Sequence, residues 1–501
     1  MPVDDTVNRI LDELRKQGVS VTSLCTDSRR VEPGDVFLAY PGERADGRRH
    51  IGASIARGAS AVLWERYGFD WDSGWTVPNV SVTGLRAVAG HVAHAVYGKP
   101  SERLWIAGVT GTNGKTSVSQ WIAQAFSFLG RRCGVIGTLG AGYPGALQAS
   151  INTTPDAVEL QKVLAKFVSD RVDAVAMEAS SIGLHQGRVN GVRFATAAYT
   201  NLSRDHLDYH GNMEEYAAAK RRLFFTPGLS ASVLNLDDVQ GVAIAGELAG
   251  TSVQRIGYSL YAGGAERAGV DRYLEAREIT LSMGGASFLM SGSWGEARIE
   301  TAVVGRYNVA NLLAVAGVLL SAGVSLERVV QALRAVRPVA GRMECHGGDD
   351  QPLVIVDYAH TPDALEKVLV ALSDIARNTG GRLVCVFGCG GDRDRGKRPL
   401  MAAVACRYSD HIVITSDNPR AEDPRAIVDE ILHGVDRSSG IPLDVISDRS
   451  VAIGHAVRLA GARDIVLLAG KGHEDYQEIG GQKLPFSDSA EAERALGEFK
   501  S

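Results

Sequence analysis

Residues 108–117, GVTGTNGKTS, place glycines, a lysine and a threonine between an apolar run and a predicted helix. Small residues let backbone N–H groups close around phosphate oxygens, and the positive end of the helix favours an anion. Lys115 can then reach the β and γ phosphates of a nucleotide, and the Thr116 hydroxyl can ligate Mg²⁺. Val109 stands where the usual GxxxxGK(S/T) pattern has its first glycine. The segment therefore predicts a variant nucleotide-binding loop rather than a simple glycine-rich turn.

Acidic and histidine side chains follow two further apolar runs. Glu178 ends the run in VDAVAMEAS, and His206 lies in TNLSRDHLDYHG beside Asp205 and near His210. Magnesium prefers oxygen ligands, so Glu178 is a candidate ligand for a nucleotide-bound Mg²⁺, with His206 as another. Taken alone, Glu178 is equally well explained as a surface acid, and a histidine such as His206 is more often structural.

Lys220 shares the apolar face of a predicted helix. In EEYAAAKRRLFF the helical period groups Lys220 with Tyr216 and Leu223, whereas Arg221 and Arg222 fall on other faces. One interpretation is a lysine whose aliphatic stem runs along apolar surface towards water. The other is carbamylation by CO₂, which converts the cation into an anionic oxygen ligand compatible with magnesium.

Four apolar runs near the C-terminus each lead into polar residues: LVIVDYAHTP, RLVCVFGCGGDRD, HIVITSDNPR and DIVLLAGKGHED. Continuous apolar strands that alternate with helices indicate a parallel sheet covered on both faces. Ligands bind such sheets at the carboxyl ends of the strands. The polar clusters there are Asp357 with His360, Arg393, residues 417–420, and Gly470 with Glu474. One such cluster could be a solvated turn. Four polar clusters at the same edge of a sheet instead predict a pocket for a molecule with a carboxylate and an amine.

The length and the boundaries predict several domains. A chain of 501 residues is too long for one core, and about three domains are expected. Strand and helix alternate after the linker-like YGKPSERLW around Pro100, and RPVAGRME near Pro338 marks a second boundary. We therefore predict an α/β protein with domains at residues 1–99, 100–337 and 338–501.

Composition narrows the class of protein. Hydrophobic residues make up 45% and charged residues 22%, which is ordinary for a soluble globular protein. The net charge of −5 argues against a nucleic-acid surface, and no apolar run reaches the roughly 18 residues of a membrane span. The acidic start is unlike a secretory signal, and six scattered cysteines without a CxxC pair suit reduced thiols. We read Cys385 and Cys389 as packing residues, and we expect a cytoplasmic enzyme.

Several motifs together resemble the Mur ligases of peptidoglycan (cell wall) synthesis. They are GTNGKT, TNLSRDHLDYHG, GRYNVANLLAV, AGRME, DYAHTPDAL and GCGGDRDRGKRPLM, and the resemblance runs from TDSRRVEPGDVFLAYPGERADGRRHI to GKGHEDYQ. It implies a mixed α/β N-terminal UDP-binding domain, a central P-loop ATPase-like domain with a parallel sheet, and a C-terminal Rossmann-like domain. We expect a monomer whose partners are small-molecule substrates.

The resemblance also implies the chemistry. ATP phosphorylates a D-glutamate γ-carboxylate, an amine attacks the acyl phosphate, and phosphate leaves, so positioning and charge neutralisation dominate catalysis. Lys115, Mg²⁺ on Thr116, Glu178 and His206, and a carbamate (N6-carboxylysine) at Lys220 would carry these steps. The positions implied to hold ATP are Gly111, Thr112, Asn113, Gly114, Lys115, Thr116, Ser117, Asn308, Asn311, Arg342 and Asp357. Without the resemblance, Asn308 and Asn311 would be the polar edge of a helix.

Two further sets of residues are implied to hold the acid substrate. The uridine nucleotide would contact Thr26, Ser28, Glu43, Arg44 and Ala45. The muramoyl dipeptide would contact Asn152, Thr153, Thr154, Ser180, Gln186 and Arg188. Ile182 stands where many relatives have histidine, so no role is transferred to it.

Residues 417–420, DNPR, bear on the choice of amino acid. They resemble the branch that adds meso-2,6-diaminopimelate to UDP-N-acetylmuramoyl-L-alanyl-D-glutamate, since lysine-adding relatives lack the arginine. Diaminopimelate differs from lysine by a second α-carboxylate, which the planar guanidinium of Arg420 can pair through two bonds. The other positions implied to hold this amino acid are Arg393, Asp417, Asn418, Pro419, Gly470 and Glu474.

Two other functions compete. Folylpolyglutamate synthase shares the phosphate loop and also joins an amino acid to a carboxylate, but it is not expected to carry DSRRVEPGDVF or DNPR. A nucleotide-dependent switch protein would need neither the variant loop nor an amino-acid pocket on another domain.

Overall fold

The structure is a computed structural model that describes residues 3–43, 45–150, 152–264, 269–282 and 284–499. Its first sheet has four parallel strands in sequence order. They are β1 (Leu24–Cys25), β2 (Val36–Ala39), β3 (Ala61–Glu65) and β4 (Asn79–Val82). The helices here are α1 (Val3–Lys16), α2 (Ile51–Ala56) and α3 (Leu85–Val96), with a 3-10 turn at Gly47–His50. The apolar DVFLAY run supplies β2, which is buried along its whole length.

A second sheet follows in the middle of the chain. Its strands are β5 (Trp105–Thr110), β6 (Cys133–Gly137), β7 (Gly140–Tyr143), β8 (Ala146–Gln148), β9 (Ala174–Glu178), β10 (Thr196–Tyr199), β11 (Ala231–Asn235), β12 (Gln254–Ser259), β13 (Arg272–Ser282), β14 (Gly285–Gly292) and β15 (Gly295–Thr301). Across the described residues the order is β15-β14-β13-β12-β11-β10-β5-β9-β6-β7-β8. The strands from β13 to β6 are parallel, as predicted, and antiparallel strands extend both edges.

Helices cover this sheet on both faces. They are α4 (Lys115–Phe128), α5 (Ala157–Ser169), α6 (Ser181–His185), α7 (Leu207–His210), α8 (Met213–Arg221), α9 (Val239–Glu247), α10 (Arg306–Ser321) and α11 (Leu326–Ala335), with 3-10 turns at Pro100–Glu102 and Arg222–Phe225. Helix α10 lies in the main core, because its residues are apolar on nearly every face. Asn308 and Asn311 are buried rather than forming a solvated edge.

The third sheet confirms the four predicted C-terminal strands. Its strands are β16 (Glu344–Gly347), β17 (Leu353–Asp357), β18 (Leu383–Phe387), β19 (His411–Ile414), β20 (Leu443–Val445) and β21 (Ile465–Ala469), and β22 (Tyr476–Ile479) pairs with β23 (Gln482–Pro485) in a separate hairpin. The order is β16-β17-β21-β18-β19-β20, with only the β16–β17 pair antiparallel. The last long strand thus lies between β17 and β18.

Alternate side chains of these strands enter two separate cores. One core packs against α12 (Pro362–Thr379), α13 (Lys397–Tyr408) and α14 (Pro424–Leu432), and the other against α15 (Arg449–Leu459) and α16 (Asp488–Gly497). Helix α12 begins as predicted at Pro362, and the Thr361 hydroxyl caps it by accepting from the Ala364 N–H. A further 3-10 turn lies at Arg437–Ser439. The predicted parallel sheet with two covered faces is therefore confirmed.

The connections at the predicted boundaries differ in character. Residue 100 lies in the turn Pro100–Glu102, where Pro100 and Ser101 are buried, so this connection is packed rather than a free linker. The second boundary falls between Ala335, which ends α11, and Glu344, which begins β16. The divisions at residues 99/100 and 337/338 stay predictions.

Cysteine packing agrees with the sequence. Cys385 and Cys389 are buried, and the Cys389 Sγ lies 3.6 Å from the Met401 Sδ. All six cysteines are free thiols. Among the residues that the structure describes, no helix combines the length and apolarity needed to cross a bilayer.

A buried ion pair ties α15 to α16. The Arg449 guanidinium donates to both Asp488 oxygens at 2.7 and 2.6 Å, and both side chains are fully buried. Arg449→Met would leave Asp488 buried and unpaired, so we expect the free energy of unfolding of this sheet to fall by about 3–5 kcal/mol. Hydrogen exchange in β17 and β21 under mild denaturant measures it.

The matched control for that prediction is Arg494 on α16, the helix that carries Asp488. It is half exposed and pairs with Glu491 and Glu498 at 2.6 and 3.1 Å. Arg494→Met should lower the same free energy far less than Arg449→Met does, because solvent screens an exposed ion pair. Equal losses in the two variants would contradict the role given to the buried pair.

Candidate active site

The phosphate loop joins β5 to α4. Gly114 has φ +86° and caps the helix, and a Cβ there would lie 2.5 Å from the Asn311 Oδ1. Only glycine combines that conformation with so close a neighbour. The Lys115 Nζ donates to the backbone oxygens of Gly111 and Thr112 at 2.9 and 2.8 Å, and burial lowers the pKa of Lys115. The backbone of the loop therefore surrounds the Lys115 ammonium group, at the first turn of α4.

Glu178 lies beside this loop, at the end of β9. Its Oε2 accepts from the Thr116 and Thr138 hydroxyls at 3.1 and 3.0 Å, and its Oε1 accepts from the Thr138 N–H at 2.9 Å. The side chain is only 1% exposed. The surface-acid alternative is therefore wrong, and a carboxylate and two hydroxyls converge at the start of α4.

Asp205 and His206 approach the loop from the β10–α7 connection. His206 has φ +54°, and its Nε2 lies 3.4 Å from the Asp205 Oδ2. Burial, together with the charges of Lys115 and Lys220, lowers the pKa of His206 to about 4 despite the opposing charge of Asp205. The imidazole is therefore neutral at physiological pH, which leaves it able to ligate a metal.

Lys220 is buried as its helical position predicts. It is 2% exposed, and its Nζ donates to the Gly111 oxygen at 2.7 Å and lies 4.2 Å from the centre of the Tyr216 ring. Burial and the nearby Lys115 charge hold the pKa of Lys220 well below its usual range. A lysine extending towards water is therefore excluded, and a buried amine with a lowered pKa faces the phosphate loop.

Residues of the C-terminal sheet complete the same cleft. The Arg342 Nη2 donates to the Thr116 hydroxyl at 3.2 Å, and its guanidinium stacks 4.2 Å from the centre of the Tyr358 ring. Asp357 accepts from the backbone N–H groups of Met343 and Ala359, both at 2.8 Å, while burial raises its pKa. The Nε of Arg342 is buried without a hydrogen-bond partner.

Two further polar contacts join loops of the central sheet to the C-terminal part of the chain. The Asn113 amide donates to the Asp363 carboxylate at 2.8 Å, and Arg204 donates to both Asp394 oxygens at 2.9 and 3.2 Å. The cleft has a volume of about 1110 Å³. The predicted residues that line it are Thr112, Asn113, Gly114, Lys115, Thr116, Ser117, Thr153, Glu178, Ser180, His206, Lys220, Asn308, Asn311, Arg342 and Asp357.

The residues predicted for the dipeptide lie at the edge of the cleft, which Thr153 and Ser180 line. Arg188 donates to the Gln186 side chain at 2.9 Å and to the Thr154 backbone oxygen at 2.8 Å. The Thr154 hydroxyl lies 3.1 Å from the Ser180 hydroxyl, and Thr153 lies 3.1 Å from Thr138 through its own hydroxyl. Asn152 is exposed.

Four residues predicted for the uridine nucleotide, Thr26, Ser28, Glu43 and Ala45, are described by the structure and lie outside the lining of that cleft. The Thr26 hydroxyl donates to the Asp156 carboxylate at 3.3 Å, which joins the first sheet to α5. Glu43 pairs with Arg86 at 2.9 Å, and the Ala45 oxygen accepts from Gly42 at 2.8 Å. Ser28, two positions after Thr26, is half-buried. Arg44 lies outside the described residues.

The DNPR turn follows β19, as predicted. Arg420 has φ +53°, an uncommon conformation for a residue other than glycine. Its Nη1 donates to the Gly391 oxygen at 2.8 Å, and its Nε lies 3.5 Å from the Glu478 carboxylate. The guanidinium is therefore held at the strand ends, and the whole Arg420 side chain is 19% exposed. Arg393, by contrast, is exposed, and its Nη1 donates to the Asp392 oxygen.

Lys471 is the residue of this cluster that sequence reasoning missed. It is fully buried, and its Nζ lies 3.0 Å from the Glu474 Oε2, 3.2 Å from the Asn418 Oδ1 and 3.7 Å from the Asp417 Oδ1. The Asn418 Nδ2 donates to the same Glu474 oxygen at 2.7 Å. The GKG segment after an apolar run was the available signal, because a lysine between glycines at a strand end is placed to reach neighbouring turns.

Comparisons with known proteins agree with this geometry. The family descriptions that match are Mur ligase family, catalytic domain, at residues 20–97; Mur ligase middle domain at 109–319; and Mur ligase, glutamate ligase domain, at 341–472. A Chromobacterium violaceum protein named UDP-N-acetylmuramoyl-L-alanyl-D-glutamate--2,6-diaminopimelate ligase is 49% identical over 484 residues, 96% of each chain. A solved structure of a protein with that name is 37% identical, with a TM-score of 0.66 and 95% of both chains covered.

A more distant structure shares the fold alone. Mycobacterium tuberculosis folylpolyglutamate synthase, complexed with ADP and AMPPCP, is 21% identical with a TM-score of 0.61, covering 76% of this chain and 91% of its own. The identity to the diaminopimelate ligases is far higher and extends over nearly the whole sequence. The chain belongs to the Mur ligase family.

Proposed function

We propose that this chain is an ATP-dependent ligase that joins meso-2,6-diaminopimelate to the γ-carboxylate of UDP-N-acetylmuramoyl-L-alanyl-D-glutamate. The observation that carries the proposal is one cleft in which the phosphate loop, Glu178 and Lys220 face Arg342 and Asp357 of the C-terminal sheet. The high identity to ligases of that name supports the choice of substrates. The product is an amide, formed when the acceptor amine attacks a glutamyl phosphate.

The phosphate loop would bind the triphosphate of ATP. The loop carbonyls that now accept from Lys115 are weak competitors for an ammonium when phosphate oxygens are present, so the lysine can turn to the β and γ phosphates. Asn308 and Asn311 would support the loop from α10. Arg342 and Asp357 would contact the nucleotide from the side of the C-terminal sheet. Transfer of the γ-phosphoryl group needs little covalent help from the protein, so this positioning is the main contribution.

Magnesium fits the donors at the start of α4. Thr116 and Glu178 offer hard oxygen ligands, and the neutral imidazole of His206 is an additional donor. A bound Mg²⁺ would neutralise phosphate charge during transfer. The protein residues themselves orient the attacking γ-carboxylate and exclude water from the cleft.

Lys220 would carry a carbamate. The lowered pKa of its buried amine favours the unprotonated form, which attacks CO₂; a N–C bond forms, and one proton is released to give N6-carboxylysine. The anion would lie close to Lys115, which compensates its charge, and would supply the oxygen ligand that an amine cannot. A carbamate would be attracted to the Lys115 charge, whereas a protonated Lys220 would be repelled by it.

The acid and the amine would enter from opposite ends. The uridine nucleotide would lie near Thr26 and Ser28 with Glu43, Arg44 and Ala45, and the dipeptide near Arg188, Ser180 and residues 152–154. The diaminopimelate would lie at the strand ends, with its far carboxylate on Arg420 and Arg393. Its far ammonium would lie at Asp417 and Glu474, with Asn418, Pro419 and Gly470 shaping the pocket.

We also propose that the enzyme acts in the cytoplasm as a monomer. The free thiols support a reducing compartment, where disulfides are rare. Size-exclusion chromatography with light scattering tests the monomer directly.

The proposed activity is tested by phosphate release from ATP. We expect release that requires both UDP-N-acetylmuramoyl-L-alanyl-D-glutamate and diaminopimelate, with discrimination against lysine on the order of 10⁴. Mass spectrometry of the tripeptide product provides the second readout. Equal turnover with lysine, or phosphate release at the same rate without any amino acid, would contradict the proposal.

A further inference from the structure

We propose that Lys471 is a positioning residue that sets the charge of the acceptor pocket and so helps to select diaminopimelate over lysine. The inference rests on the proposed function, and it adds a residue to which no role has been given above. Its basis is one ammonium group enclosed by three oxygen atoms from three different side chains. No solvent reaches the Lys471 side chain, so its charge must be balanced inside the protein.

The contacts fix the geometry of the pocket. The Asn418 Oδ1 accepts from the Lys471 Nζ at 3.2 Å and from the Glu478 N–H at 2.9 Å, which turns its Nδ2 towards Glu474. The Glu474 Oε2 accepts both that amide and the Lys471 ammonium at 3.0 Å. Lys471 therefore orients Asn418 and Glu474 together.

One oxygen of the Asp417 carboxylate has no hydrogen-bond partner. This atom, the Oδ1, is buried, although the Lys471 Nζ is 3.7 Å away. A buried polar atom of this kind is uncommon and calls for a donor from elsewhere. The far ammonium of the amino-acid substrate is a donor of the right charge.

Charge balance explains how Lys471 affects selectivity. Asp417 and Glu474 bring two negative charges and Lys471 one positive charge, so the group keeps a single negative charge for a single ligand ammonium. The neighbouring Arg449 is already neutralised by Asp488, and Arg420 lies 3.5 Å from Glu478. Diaminopimelate brings one more carboxylate than lysine, so a positive charge here favours it and an excess of negative charge disfavours it.

The test compares kcat/KM for diaminopimelate and for lysine in Lys471→Met. We expect the ratio of the two values to fall by about tenfold or more, because the pocket gains a net negative charge. A purely structural role would lower both values together and leave the ratio unchanged. The control is Lys483→Met: Lys483 is exposed and lies 3.9 Å from the same Tyr476 ring that Lys471 approaches at 5.6 Å. Its ratio should stay within about twofold of the wild type.

A double variant keeps the proposal testable if Lys471→Met does not fold. Lys471→Met combined with Glu474→Gln removes one charge of each sign, so the ratio should return to within about threefold of the wild type even if turnover is low. An unchanged ratio in Lys471→Met, or a strongly shifted one in the double variant, overturns the role of Lys471. If the wild type itself shows no diaminopimelate-dependent phosphate release, the proposed function fails instead.

Discussion

Lys220→Ala is expected to lower acceptor-dependent phosphate release by about 10²–10³-fold, the size of effect seen when one preorganised electrostatic group is removed. Lys220 is enclosed near the phosphate loop, and alanine supplies neither an amine nor a carbamate. Short carboxylates such as acetate should restore part of the activity, because they can bring an anionic oxygen into the space that the side chain leaves.

Two controls separate this chemistry from folding. Arg221→Ala changes the next residue of α8, which is half exposed and pairs with Glu247, so its activity should match the wild type. Thermal unfolding of Lys220→Ala should show a folded protein. Isotopically labelled CO₂ should yield a carbamate signal by NMR in the wild type and none in the variant. Full activity of Lys220→Ala without added carboxylate would remove the carbamate from the mechanism.

Arg420→Ala should lower kcat/KM for diaminopimelate by about 10- to 10²-fold, because a charge-assisted pair contributes roughly 1.5–3 kcal/mol. The dissociation constant for ATP should stay the same, since Arg420 is not among the described residues that line the cleft of the predicted nucleotide site. Discrimination against lysine should shrink as well. Lysine has no second carboxylate, so it makes no pair with Arg420 that the substitution could remove. Isothermal titration with ATP and steady-state kinetics with both amino acids measure the two effects.

The matched control for Arg420 is Arg425, an exposed arginine five residues further along the chain, at the start of α14. Arg425→Ala should leave both kinetic constants unchanged. Equal turnover of diaminopimelate by the wild type and Arg420→Ala would refute the role of the guanidinium. Weaker ATP binding in Arg420→Ala would instead indicate that the variant disturbs the whole cleft.

Local sequence patterns were sufficient for the elements and for several side-chain positions. The four C-terminal strands, the first turn of α4 at Lys115 and the inward face of Lys220 follow from apolar runs and helical period alone. These patterns work because burial of one face imposes a spacing on the sequence. Expectations about function came from the resemblance of whole motifs, which the family matches confirm.

The packed connection at Pro100 shows where composition misleads. Proline, glycine and lysine suggest a free linker, yet Pro100 and Ser101 are buried against the central part of the chain. Residue types report what a segment can do in isolation, whereas burial depends on neighbours that are distant in sequence. The same holds for Asn308 and Asn311, which are polar but enclosed.

The sequence by itself determined the α/β elements, the phosphate loop and the polar turns at the strand ends. Only the tertiary structure decided which turns meet, because periodicity encodes the buried face of a strand and not the strand beside it. The insertion of β21 between β17 and β18 brings Lys471 to Asp417, 54 positions away, and the folding of one sheet onto another brings Arg342 to Thr116. The charge of the pocket is a property of that assembly, since it arises from long-range contacts that no single segment contains.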